Sequence, residues 1–268
     1  WWVAHRAMAK KVGMVILIAA DIALVGYNFW QWADYAFLGA RADKAILRDI
    51  SVARSNVAAL QAHFGPKEIF LESVDAFPAG DRTDVAAIMQ NPNAHHLAVI
   101  SYRFVLDGVS GEAQKATILP GQRRVFARLG ERGRVRNASV KVESVAYRRI
   151  STHDLADPIS FIAERTKFEI SDFKFYAPNA VPGIDTSIAT VSIENATSYN
   201  FWNAPLFIFF KFGDRAGGVE YVEFAQWKSG EKRFVDLRPK GVGAMPTSIE
   251  IIPDFNPLDS AVFMPPAA

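Results

Sequence analysis

The side chains able to do chemistry are few in this chain, and their spacing does not gather them. The five histidines are His5, His63, His95, His96 and His153, and only His95 and His96 are neighbours. Adjacent residues on a strand point to opposite faces, so that pair cannot close on one metal ion, and no metal site is assigned. Asp81, Asp107, Asp185 and Asp214 lie beside glycines or other turn formers, where an aspartate ordinarily serves the turn. There are no cysteines, which excludes disulfides, thiolate metal ligands and cysteine nucleophiles. The glycines form no phosphate-cradling motif. The expectation is a protein that is not an enzyme, with no cofactor and no small-molecule substrate.

Three groups of residues do suggest contacts with partners. Asp21 interrupts an apolar stretch in which a carboxylate costs at least about 2.5 to 3.5 kcal/mol unless it is protonated or paired. It either meets a polar or basic group of another subunit or is tolerated in protonated form. A second group is basic: Arg123, Arg124, Arg128, Arg132, Arg134, Arg136, Lys141, Arg148 and Arg149 crowd one segment. They read either as a solvated strand face or as a dock for lipid phosphates or an acidic partner, because arginine pairs bidentately with both. The third group is aromatic: Phe201, Trp202, Phe207, Phe209, Phe210, Phe212, Tyr221, Phe224 and Trp227 exceed what one inward strand face holds. Phe209 and Phe210 are adjacent, so one faces outward on a regular strand. Either the surplus forms an exposed binding patch, with Trp202, Phe209 and Trp227 as its candidates, or the linker or C-terminal tail covers it.

The elements that must position these groups begin with Val12–Trp32, 21 residues that span roughly 30 Å as a helix. This is the expected transmembrane helix, read as a retained anchor although Gly39-Ala40 could pass for a signal-peptide cleavage site. Arg6, Lys10 and Lys11 precede it and the next basic residue is Arg41, which places the N-terminus in the cytoplasm and the bulk of the chain outside. Tyr27, Trp30 and Trp32 fall at the outer interface. Residues 33–66 then read as a helical stalk, ended by Gly65-Pro66. Its stripe of Ile46, Ile50, Ala53, Val57, Leu60 and Phe64 either forms a coiled coil or lies on the chain's own sheet.

From Lys67 the texture changes to short alternating runs rich in Val, Ile, Phe and Tyr, the pattern of antiparallel sandwich strands. The pattern occurs twice. Gly121-Gln-Arg-Arg-Val125 matches Gly230-Glu-Lys-Arg-Phe234, and Ser139-Val-Lys-Val142 matches Ser248-Ile-Glu-Ile251, both pairs 109 positions apart. Upstream, Ala87-Ile-Met-Gln-Asn91 answers Val191-Ser-Ile-Glu-Asn195. The chain therefore divides into a short cytoplasmic segment (1–11), the transmembrane helix (12–32), the stalk (33–66), a first β-sandwich (67–150), a linker (151–166), a second β-sandwich (167–254) and a tail (255–268). Half of the 268 residues are hydrophobic, ample for such cores. A net charge of +2 does not point to nucleic acid.

The repeat also resembles a known family. Asn91, Phe104-Val-Leu-Asp-Gly108 and Pro120-Gly121 in the first copy, with Asn195, Phe210-Lys-Phe-Gly-Asp214 and Ser229-Gly230 in the second, are similar to the FxLYD and late-embryogenesis-abundant-like β-sandwich domains. The resemblance implies immunoglobulin-like or fibronectin-like sandwiches, often tethered to bacterial membranes, without enzymatic activity. The functional expectation is a single-pass subunit of the bacterial inner membrane, its bulk periplasmic, that acts as scaffold or accessory component of a larger envelope complex. Its partners would be the lipid bilayer and other membrane subunits. The alternative is a tethered module that captures a peptide, protein or envelope ligand.

Overall fold

A computed structural model describes residues 2–39, 43–49, 65–180 and 182–265. Two compact units divide at Gly65 and Pro66. The first is built on α1 (Trp2–Asp34), a 33-residue helix that continues into a π-helical turn at Tyr35–Gly39, and residues 43–49 are again helical. An 18-residue window within His5–Phe37 has a mean hydropathy of 1.9 and no burial, so the helix is long and apolar enough to cross a membrane. Of the expected stalk stripe, Ile46 is exposed, whereas Ile50, Val57 and Leu60 lie outside the described residues.

The second unit is all but entirely antiparallel β-structure. Its strands are β1 (Phe70–Ala79), β2 (Arg82–Gln90), β3 (His96–Leu106), β4 (Val109–Ser110), β5 (Gln114–Ile118), β6 (Arg123–Arg132) and β7 (Ala138–Arg149). After helix α2 (Pro158–Arg165) come β8 (Phe168–Tyr176), β9 (Ile188–Asn195), β10 (Phe201–Phe212), β11 (Arg215–Trp227), β12 (Lys232–Leu237) and β13 (Ser248–Pro253). The first sandwich pairs sheet β1-β2-β6 with a sheet in which β3 joins β4, β5 and β7. The second repeats that plan, with β8-β9-β12 opposite β11-β10-β13. Register confirms the correspondence residue by residue: Val140 pairs with Phe104, and Ile249 pairs with Phe210.

Alternation explains each core. Val85, Ala87 and Met89 of β2 meet Ala98, Ile100, Tyr102 and Phe104 of β3 in the first sandwich. In the second, Ala189, Val191 and Ile193 of β9 meet Ala204, Leu206, Ile208 and Phe210 of β10. A third core joins the two sandwiches. Phe77, Ala86, Ile88 and Val125, on the outer face of β1-β2-β6, pack on Phe207, Phe209, Val219 and Ile252, on the outer face of β11-β10-β13. The unit is thus a stack of four sheets, and β2 and β10 are buried on both sides.

Ion pairs border this seam. Arg123 bridges Glu72 at 2.5 Å and Glu250 of the other sandwich, and Arg124 reaches Asp254 at 3.5 Å. The paired carboxylates, Glu72 foremost, raise the Arg123 pKa. The outermost sheets end the stack. Positions equivalent to Phe207 and Phe209 are Ser101 and Arg103, and Arg103 pairs with Glu143. Positions equivalent to Ala86 and Ile88 are Thr190 and Ser192. Polar positions of this kind work against further stacking, although Phe234, across from Ser192 on the outer face of the second sandwich, is 67% exposed.

Between the sandwiches, Asp157 caps α2 by accepting from the Ser160 N–H at 3.1 Å and its hydroxyl at 2.6 Å. Ile159 then closes on Gly121, where a Cβ would stand 3.1 Å from the Ile159 side chain and φ is +67°. The tail is part of the second sandwich: Phe255 and Phe263 pack on its core, and Phe263 bridges Phe201.

Candidate functional site

On α1 every described side chain is exposed except the half-buried Ala33, and Asp21 lies near the middle of the apolar span. Among the described residues, no hydrogen bond or ion pair involves the Asp21 carboxylate. A helix in lipid can bury its apolar side chains in acyl chains, but a carboxylate there needs a polar group.

The arginines separate into two sets. Arg123 and Arg124 are spent on the seam, and Arg128 pairs with Glu131 at 2.6 Å. They are structural pairs of this chain rather than free docking groups. Arg132, Arg134 and Arg136 are exposed at the far end of the first sandwich. Arg132 stands directly across from Arg82, an unfavourable like-charge pair.

The loop that carries Arg134 and Arg136 is held from several sides. The buried Thr83 hydroxyl donates to the Gly133 carbonyl at 2.8 Å and accepts from the Val135 N–H at 3.1 Å. Asp107 accepts the backbone N–H groups of Arg136 and Asn137 at 3.0 and 2.8 Å, and Val135 packs on the first core. Backbone donors are therefore used internally, while both guanidinium groups point out of a fixed loop. Beside it lies a groove of about 720 Å³ lined by Val74, Asp75, Ala76 and Pro78 of β1 and by Arg134–Ala138.

The aromatic surplus is inside. Phe209 is 1% exposed in the seam, Phe210 is fully buried in the second core, and Trp227 stacks on Phe168 with centroids 5.0 Å apart. Trp227 also donates its indole N–H to the Glu231 carbonyl at 3.0 Å. Phe209 does turn away from the second core, as alternation requires, but neither alternative for it holds: it forms no exposed patch, and its cover is the first sandwich rather than the linker or the tail. Trp202 alone of the three aromatic candidates is exposed.

Two features went unassigned from sequence. Asn91 and Asn195 are both fully buried and do the same work. Asn91 Nδ2 donates to the His96 and Ile118 carbonyls, and Asn195 Nδ2 to those of Tyr199 and Lys228. Each Oδ1 accepts the N–H two residues on. They are latches that tie strand ends together, and Asn195, although in an Asn-Ala-Thr sequon, offers no surface for a glycan. The second feature is Glu220 on β11. Burial pushes its pKa up to about 7, against Lys240, whose charge and backbone N–H lower it, while Asp84 of the first sandwich adds to the rise.

Because the folded pKa of Glu220 exceeds the ordinary carboxylate value, this group's stabilising contribution is complete below about pH 4.5 and is lost as pH rises through 7. Between pH 5 and 8 it should cost the folded state on the order of 1–3 kcal/mol. Urea midpoints at the two pH values should therefore lie closer together in Glu220→Gln than in the parent protein. Equal separation in the two proteins would show that Glu220 titrates normally.

His95 lies in the bend before β3 and His96 begins the strand, and burial followed by Arg149 lowers the His96 pKa. Among the described residues no three His, Cys, Asp or Glu side chains gather as metal ligands would. No protein-family model matches the chain, and no curated protein matches its sequence.

Proposed function

We propose that the chain is a single-pass membrane subunit, a scaffold or accessory component of a larger bacterial envelope complex, in which α1 contacts another subunit within the bilayer and the double sandwich forms a rigid outer layer. The observation that carries this reading is Asp21, a carboxylate at mid-span of an exposed apolar helix, with no partner among the described residues of its own chain. A polar group of another membrane helix would supply that partner. The seam core supports the scaffold role, since eight buried apolar side chains lock the two sandwiches into one body. The resemblance of the repeats to FxLYD and late-embryogenesis-abundant-like domains favours a role without catalysis. Arg6, Lys10 and Lys11 ahead of the span favour a cytoplasmic N-terminus, with the sandwiches in the periplasm.

The experiment is extraction from native membranes in mild detergent. Co-purifying subunits should be recovered with the wild-type chain and lost with Asp21→Leu, and protease added to spheroplasts should digest the sandwiches first. A wild-type chain that emerges alone would favour the tethered binding module instead.

A further inference from the structure

We propose that the groove between β1 and the arginine loop takes an acidic, extended peptide segment of a partner subunit, added as a strand to the open edge of β1. This assignment rests on the proposed subunit role and adds the chemistry of one partner. β1 is an edge strand that pairs only with β2 in its sheet, so alternate residues turn unpaired N–H and C=O groups toward the groove. Among the described residues, none supplies a backbone bond to Val74–Phe77 from that side. Open strand edges of this kind bind extended peptides through main-chain hydrogen bonds. Pro78, which has no N–H, and the turn at Gly80 set the limit of the added strand at the far end.

Charge selects the occupant. Arg134 and Arg136 line the groove, are exposed, and make no side-chain hydrogen bond or ion pair among the described residues. The opposed Arg82 and Arg132 lie on the neighbouring strands at the same end, so an anion there relieves repulsion. Asp107 is spent on backbone N–H groups of the loop, Asp84 accepts the Gly130 N–H, Glu131 pairs with Arg128 and Asp81 sits in the turn beside Arg82, so that among the described residues Asp75 is the carboxylate that lines the groove. Thr83 and Asp107 hold the loop in place, so binding costs little ordering there.

The test uses the full chain in detergent micelles and a labelled short peptide of alternating valine and glutamate. Saturable binding is expected, weakened about fivefold or more by the double substitution Arg134→Gln and Arg136→Gln and by high salt. A peptide with lysine for glutamate should not bind, nor one with proline at every other position. Thermal unfolding of the double variant should be unchanged, because both side chains are exposed.

Absence of binding, or equal binding to the double variant, would overturn the proposal. So would equal binding of the proline peptide, which would mean charge attraction without strand addition. Arginine-dependent binding of phosphatidylglycerol vesicles without binding of the peptide would assign the loop to lipid and overturn it likewise. Asp21→Leu should leave peptide binding intact, so failure of the groove and failure of the intramembrane contact are read separately.

Discussion

Phe209→Arg should open the seam between the two sandwiches while each sandwich keeps its own core. Phe209 is 1% exposed and sits among Phe77, Ile88, Val125 and the rest of the seam core, and the carboxylate across from it on β13, Glu250, is already engaged by Arg123 and Lys211. An unpaired buried charge costs several kcal/mol, and the lost aromatic ring adds about 3–5 kcal/mol on its own. β10 itself tolerates the change: its counterpart β3 carries Arg103 at the same position, on a face open to solvent and paired with Glu143. The expected result is urea unfolding in two steps, with faster proteolysis in residues 151–157. A single transition at the wild-type midpoint would mean that the third core does not bind the sandwiches together.

Asn195→Ala should act inside one sandwich and cost about 3–5 kcal/mol. The side chain is fully buried and satisfies four groups at once: its amide donates to the carbonyls of Tyr199 at 2.8 Å and Lys228 at 3.1 Å, and its oxygen accepts from the Thr197 N–H and hydroxyl. Alanine removes one partner from each of the four in a buried site: the Thr197 hydroxyl and the Tyr199 carbonyl keep each other, the Lys228 carbonyl keeps the Glu231 N–H, and the Thr197 N–H loses its acceptor. Asn195→Asp should fail nearly as badly, because a carboxylate cannot donate to the two carbonyls. For a unit of this size the melting temperature should fall by roughly 10 °C. Asn91→Ala should repeat the effect in the first sandwich. A change of less than about 1 kcal/mol in both would contradict the latch assignment.

The repeat was legible because its markers are local. Gly121 and Gly230 adopt positive φ of +67° and +71° in the same turn, and Asn91 and Asn195 close the same strand ends, so the residue types survive where the backbone demands them. The helix was legible from its run of apolar residues. What could not be read was the third core, because alternation predicts one buried face per strand and says nothing of what lies beyond the other.

Its signal was nonetheless present. Val85–Met89 and Leu206–Phe210 are unbroken apolar runs, the signature of strands covered on both faces. Of the two alternatives the sequence left open, the exposed patch would have put Phe209 and Trp227 on the wrong side of the surface, and the covered strand is found, with the first sandwich as part of its cover. The basic segment misled for a related reason. Arg123 and Arg124 find their carboxylates in Glu250 and Asp254, more than a hundred residues away, which no local window connects. Arg132, Arg134, Arg136, Lys141, Arg148 and Arg149 retain the exposure that docking requires.

The most direct test of the subunit reading is the yield of co-purifying proteins from wild-type and Asp21→Leu membranes in mild detergent. The substitution removes an unfavourable term of roughly 3 kcal/mol for insertion of the helix, so the anchor itself should insert at least as well. It lies outside the sandwich unit, whose thermal unfolding should not change. If Asp21 meets a polar or basic group of another subunit, leucine leaves that group unpaired in lipid and the complex weakens. The account predicts a substoichiometric or lost partner from Asp21→Leu membranes at equal chain abundance, and equal partner yields from the two membranes would contradict it.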